Sequence, residues 1–453
     1  MTKRHMLKNV LTLSSASLLV RAMGFIYRVI LVRAAGAEVI GVFQMTSPLL
    51  KLSSSVVSLG LPVALSKTVA EALARRDTTK MNKSFKVSLV FVLCNSLVAT
   101  AVLLASAGFL SERALSDNRT KLAIMTMPLA LVFICMSGVF RGYFHGCRNA
   151  TPPAVAQVME QSVRIAVAAA LASRIARAPA ESAAAVIMLA LGIGEMAGFA
   201  TLAVLKFASG RRRAEYPPAD AKSRAPAPSG IDLVSELLAI SLPLTAVGFA
   251  SSVSHTLDAM IIPRRLLASG CDTAEAALLF GRLSGMAMPV LFLPGLVIFP
   301  VSTMLLPEVA ASAANSNPSV LRAKLRQVLL ATSGLTVATS LVIPLAAGPV
   351  SSILYGTDEA ASLIAWYAPA VPLLYIGYVL SSALNGLGKA RLVLVSTIAG
   401  CLLDFSVLYH LVAMPSINIY GVIIGDTIGF GLTALINWIG LSVHLKKPST
   451  RLK

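Results

Sequence analysis

LDAMIIPRRLLASGCDTAEAALLFGRLSGMAMPVLFLPGLVIFPVSTMLLPEVA, residues 257–310, consists of two apolar spans joined by a short loop. Asp258 stands near the end of the first span, Arg264 and Arg265 follow it, and Arg282 opens the second. Pro289, Pro294, Pro300 and Pro307 interrupt that second span. A charge at mid-bilayer costs at least ~2.5–3.5 kcal/mol, so ionisable residues and helix breakers in such a sequence mark function by default. Arginines near a span end also have a plainer role, reaching the interface with their heads while their stems stay in lipid.

The rest of the chain has the same character. Of 453 residues, 56% are hydrophobic and 13% charged, against roughly 25% charged in a soluble domain. Apolar windows fall at about 10–32, 42–65, 86–110, 122–143, 152–173, 184–207, 236–262, 278–303, 325–348, 361–384, 391–413 and 418–443, each near the ~20 residues that cross a bilayer. The expectation is an all-α integral membrane protein of twelve spans. The basic start MTKRHMLKNV runs into an apolar stretch too long for a signal peptide, so the first span is expected to be retained. The five cysteines, Cys94, Cys135, Cys147, Cys271 and Cys401, show no metal or disulfide spacing.

The net charge of +19 raises nucleic acid as a partner, but its distribution argues for membrane orientation. With the N-terminus inside, the cytoplasmic segments hold 26 of the 39 Lys and Arg, the outer loops eight, and the spans five. That imbalance predicts both termini in the cytoplasm. The polar break Ser209–Gly230 reads as a flexible basic linker, 209–231, between an N-terminal six-helix bundle, 1–208, and a C-terminal one, 232–453. The basic amphipathic stretch Ser66–Phe85 predicts a helix on the cytoplasmic face.

The halves repeat one another. FRGYFHG (140–146) leads to Glu160 and LNGLG (384–388) to Asp404, with 18 positions from Gly142 to Glu160 and from Gly386 to Asp404. The sixth span carries Gly194-Glu195-Met196-Ala197-Gly198-Phe199 and the twelfth Gly425-Asp426-Thr427-Ile428-Gly429-Phe430, both Gly-acid-x-x-Gly-Phe. The opening stretch has its own partner in Tyr27–Glu71, since Phe43 to Glu71 and Phe280 to Glu308 both span 28 positions. Six spans per half make a parallel repeat, whose expected binding site lies at the interface of the halves.

Ten charged residues fall inside spans, more than two positions from a window's end: Arg21, Arg28, Lys51, Arg164 and Arg282, with Glu160, Glu195, Asp258, Asp404 and Asp426. Glu160 and Arg164 are four apart with the acid first, the favourable order for an intrahelical pair, and predict a structural ion pair. Arg21, Arg28, Lys51 and Arg282 have no such neighbour in sequence. A cluster of cations on the first, second and eighth spans suits a ligand with several negative charges, a diphosphate above all. Asp258, Asp404 and Asp426 are candidates for Na+ or H+ coupling, or for pairing with arginines. No resident metal or cofactor is expected, and no nucleophile–base constellation points to an enzyme.

Val20–Met45, Leu61–Asp77, Ala150–Ile165 and the opening stretch together resemble the stage V sporulation protein B family. That family sits in the polysaccharide transporter branch of the MOP superfamily, beside lipid II flippases and MATE drug extruders. The resemblance implies two six-helix bundles in a V-shaped, MATE-like transporter. It implies a polyprenyl-diphosphate-linked saccharide as substrate, such as a lipid-linked peptidoglycan or polysaccharide precursor, flipped across a bacterial cytoplasmic membrane by alternating access. Arg21 in VRAMGF and Arg282 in FGRLSG match the cavity arginines of the flippases; Arg28 is displaced by one position, and Lys51 stands near a further arginine. Arg264 and Arg265 are then expected at the outer mouth, as a gate. The flippases have fourteen spans where twelve are counted here. The expected partners are the lipid-linked substrate and membrane lipids, not nucleic acid, and the chain is expected to act as a monomer. The competing readings are a cation-coupled multidrug exporter, which calls for an acidic cavity, and a membrane glycosyltransferase, which calls for larger outer loops.

Overall fold

The structure, a computed structural model, describes residues 3–75, 77–213, 230–314 and 318–446. Among them there are helices and no strands. With no water in the hydrocarbon core to satisfy backbone groups, helices are what apolar segments of this length form there.

α1 (Lys3–Ser58) carries the first expected span and most of the second as two helices joined at Gly36, whose φ of 76° and ψ of 171° are not helical. The second span stops before its expected limit of 65. The chain turns at Leu59–Gly60 and restarts as α2 (Leu61–Ala74). Gly60 has φ 70°, and a Cβ there would run into the Thr245 side chain, so only glycine serves. α3 (Thr78–Phe109) is capped by the Asp77 carboxylate, which accepts from the Lys80 amide at 2.8 Å. That cap divides the expected surface helix 66–85 between α2 and α3.

α2 is no free surface helix either. It buries Leu61, Ala64, Leu65, Thr68, Val69 and Ala72. Its seat is on α4 (Lys121–Gly146), where Gly138, Gly142 and Gly146 make a smooth stripe under Pro62, Ser66 and Val69. A Cβ at Gly146 would sit 2.6 Å from the Ser66 carbonyl oxygen. The glycines of FRGYFHG thus serve close packing. α5 (Thr151–Arg177) opens on Pro152 and Pro153, at positions where the missing amide hydrogen costs nothing. α6 (Ala180–Arg213) packs on both α4 and α5.

α7 (Gly230–Ala268) is followed by the turn at Gly270 (φ 102°). The eighth span is then broken: α8 (Thr273–Gly281), a wide π-turn over Arg282–Ala287, α9 (Met288–Leu291) and, past Pro294, α10 (Gly295–Ala314). Of the four prolines in the second span of the opening stretch, Pro294 marks the break, while Pro300 and Pro307 lie within α10. α11 (Pro318–Tyr355), α12 (Ala361–Tyr367), α13 (Ala370–Gly386), α14 (Ala390–Leu411) and α15 (Tyr420–Lys446) complete the chain. α12 and α13 meet at a bend of 49°.

Among the described residues eight helices are long and apolar enough to cross a membrane, or nine with the bent α12–α13 pair counted as one span. These match the third to sixth and eighth to twelfth expected windows. The remaining three windows lie in α1 and α7.

Packing divides the chain into two compact units, Met1–Met260 and Ile261–Lys453. This boundary falls inside α7, beyond the segment 209–231 that separates six spans from six; residues 214–229 of that segment lie outside the described residues. The first part of α7 is tied to α1 and α3 by side-chain contacts. Ser252 and Ser55 share a hydrogen bond of 3.2 Å, Thr256 donates to the Pro48 carbonyl at 3.2 Å, and Lys80 meets Glu236 at 3.1 Å.

Candidate functional site

The first unit holds a buried charge network. Arg164 donates from Nη2 to Glu160 Oε1 and to Glu195 Oε1, both at 2.8 Å, and Arg141 donates from Nη2 to Glu160 Oε2 at 2.8 Å. The Glu160–Arg164 pair expected from spacing is therefore present, inside a larger balanced set of two acids and two arginines. The charge count puts Arg141 among the 26 cytoplasmic Lys and Arg. It lies within α4, half-buried, and belongs to this network. Gly194 and Gly198 of α6 let it close, because a Cβ at either would touch Arg164 or Glu160 at 3.0–3.1 Å.

Above this network stands Tyr27, buried, with the Arg164 guanidinium 6.0 Å from its ring centroid. Next to it on α1, Arg28 lies close enough for its charge to act on Tyr27 and on Lys51. Three of the four expected diphosphate ligands are in this unit: Arg28 is half-buried, and Arg21 and Lys51 are exposed. A second ion-paired group sits past the Gly36 hinge, where Arg119 bonds both Asp117 and Glu38. Asp258, also in this unit, lies 3.8 Å from His255 Nδ1.

In the second unit, Arg282 is the first residue of the π-turn. Its Nε donates to Glu359 Oε2 at 3.1 Å, and Nη2 forms an ion pair with the same oxygen at 3.0 Å. Nothing in the local sequence marks Glu359, which stands 77 residues away in the turn between α11 and α12. Arg265 donates to the Tyr409 carbonyl at 2.8 Å and stacks 4.1 Å over that ring, while Arg264 is exposed.

Asp404 and Asp426 line one cavity of about 250 Å³ between α13, α14 and α15, together with Tyr378, Ser381, Thr397 and Thr433. Its walls are otherwise apolar. Asp426 accepts from the Tyr367 hydroxyl. The structure thus brings two of the three candidate coupling acids together and assigns Asp258 to the other unit. Behind the cavity Asn437 links Ser396 (2.7 Å) and Ser381 (2.9 Å), tying the three helices.

This fold is shared with solved transporters of the MOP superfamily. A solved inward-facing MATE multidrug transporter of that superfamily superposes with a TM-score of 0.76 at 16% identity, covering 95% of this chain and 96% of its own. The sequence profile of the polysaccharide biosynthesis protein family matches residues 6–313, and the chain belongs to that family. It is 30% identical over 441 residues to stage V sporulation protein B of Bacillus subtilis (strain 168), covering 96% of this chain and 83% of that protein. It is 22% identical over 470 residues to the lipid II flippase MurJ of the same organism, covering 97% and 83%. The chain is a multi-pass membrane protein with the twelve-helix, two-bundle MATE fold.

Proposed function

We propose that this protein flips an undecaprenyl-diphosphate-linked saccharide, a cell-wall or polysaccharide precursor such as lipid II, across the bacterial cytoplasmic membrane by alternating access. The observation that carries the reading is that the chain aligns along nearly its whole length with a lipid II flippase. Its cations Arg21, Arg28, Lys51 and Arg282 on the first, second and eighth spans supply the chemistry for a diphosphate, arginine through bidentate contacts and lysine as a point charge. The saccharide head passes through a polar path while the polyprenyl tail stays in lipid. Arg264 and Arg265 act at the outer mouth. The excess of cations in the loops assigned to the inside supports cytoplasmic termini.

Binding alone gives no net transport. A coupling cation or the membrane potential biases the cycle, and Asp404 and Asp426 in their shared cavity are the residues through which Na+ or H+ acts, with Asp258 a further candidate. The decisive experiment is a proteoliposome flipping assay. Arg282→Ala is expected to abolish transport, and flipping at the wild-type rate would refute the assignment.

A second reading, a cation-coupled multidrug exporter, is favoured by the MATE fold and by the acidic cavity of the second unit. It is opposed by the cationic first and eighth spans, which repel cationic drugs. Drug-resistance profiling of cells lacking the protein separates the two.

A further inference from the structure

Arg282 does not wait with bare nitrogens. The turn between α11 and α12 is docked on the π-turn at two points. Tyr355, buried at the end of α11, donates its hydroxyl to the Met286 carbonyl at 2.9 Å. A π-turn shifts the usual helix ladder, and this carbonyl takes a bond from outside the helix. The second point is Glu359, which brings a single oxygen to both Nε and Nη2 of Arg282. The turn itself is rigid: Gly356 has φ 78°, Ser351 donates to the Thr357 carbonyl at 2.7 Å, and the Ala361 amide donates to the Asp358 carbonyl at 2.9 Å. A buried anchor thus holds the backbone and delivers a carboxylate to the guanidinium. The Glu359 side chain is 45% exposed and that of Arg282 24%, so the contact is open to exchange with a ligand from solvent.

We infer that Glu359 is a resident anion on Arg282 and sets the ligand's charge requirement. The inference rests on the reading of Arg282 as a diphosphate ligand. One edge of the guanidinium fork, Nε with Nη2, is filled by carboxylate, and the charge of the arginine is largely neutralised before any substrate arrives. A ligand with a single phosphate brings fewer charges and fewer acceptor oxygens than a diphosphate and gains less by replacing the carboxylate. A diphosphate brings more charge and more acceptor oxygens and displaces it, or shares the guanidinium while pushing the carboxylate aside. When the ligand leaves, Glu359 returns, so Arg282 is never left as an uncompensated charge and release is assisted.

The test uses the full chain in nanodiscs, with geranylgeranyl diphosphate and geranylgeranyl monophosphate as probes and calorimetric titration as readout. Glu359→Gln keeps the acceptor oxygen and removes the charge. It is expected to tighten monophosphate binding by about fivefold, the upper end for a half-exposed ion pair, and to narrow the preference for diphosphate. A contact that only held the fold would instead weaken binding of both probes, and that result, or unchanged affinities, would overturn the inference. Glu359→Asp, which withdraws the carboxylate by one methylene, is expected to show a smaller gain and gives the same decision should Glu359→Gln fail to fold. Arg282→Ala separates the two layers. If it binds diphosphate as the wild type does, the site reading itself fails. If it loses diphosphate while Glu359→Gln shows no gain, only the role of Glu359 falls.

Discussion

The α5–α6 pair of the first unit and the α14–α15 pair of the second are built on one frame and carry different chemistry. In the first, Glu160 lies against Gly194 and Gly198; in the second, Asp404 lies against Gly425 and Gly429. The side chain that crowds Gly194 is Arg164, and the one in the corresponding place beside Gly425 is Leu408, each four residues past its acid. Arg141, just before Gly142, is matched by Asn385, just before Gly386. Two arginines of the first half are therefore a leucine and an asparagine in the second. In the first unit the acids Glu160 and Glu195 are compensated and locked; in the second, Asp404 and Asp426 border a cavity of about 250 Å³. A duplicated frame has kept its glycine contacts, which packing demands, and changed its charges, which packing does not.

The comparison is broken most directly by giving the first unit the second unit's residue. Arg164→Leu leaves Glu160 and Glu195 facing each other with side chains only 13% and 10% exposed. Removing one partner of a buried ion pair costs about 3–5 kcal/mol, and thermal unfolding in detergent is expected to show a loss of that order. Adding Glu195→Gln should recover part of it; a double variant no better than the single would mean that the network is not held by its charge balance.

Next in size is the frame itself. Gly425→Ala places a Cβ 2.6 Å from Asp404 Oδ1 and is expected to cost about 1–3 kcal/mol by overpacking. The unfolding midpoint measures it, and a neutral result would show that α14 and α15 separate easily. Smallest in stability is Asp426→Asn. The amide oxygen still accepts from Tyr367, so the loss is expected to be about 1 kcal/mol or less. Its effect belongs in transport: dependence of flipping on a Na+ or H+ gradient is expected to disappear. Gradient dependence that survives would remove the coupling role from this cavity and with it the functional half of the comparison.

The spans, the duplication and the Glu160–Arg164 pair follow from the sequence because each depends on neighbours within a turn or two, or on runs of apolar side chains that the bilayer reads one segment at a time. Matching six-residue motifs in the sixth and twelfth spans even located the frame shared by the halves. What the chain order conceals is which helix faces which. Arg141 and Glu195 join Glu160 and Arg164 only because α4, α5 and α6 pack together, and no spacing rule links residues 19 or 31 positions apart. Glu359 reaches Arg282 across 77 residues because a buried tyrosine docks one turn on another. The second span ends at Ser58 rather than running on because Gly60 meets Thr245, and the stretch after it is buried because α4 offers glycines to receive it. Hydropathy and periodicity fix where helices form, since those are local free energies; ion pairs, breaks and cavities are decided between helices, since a charge is compensated by whatever the fold brings within a few ångströms.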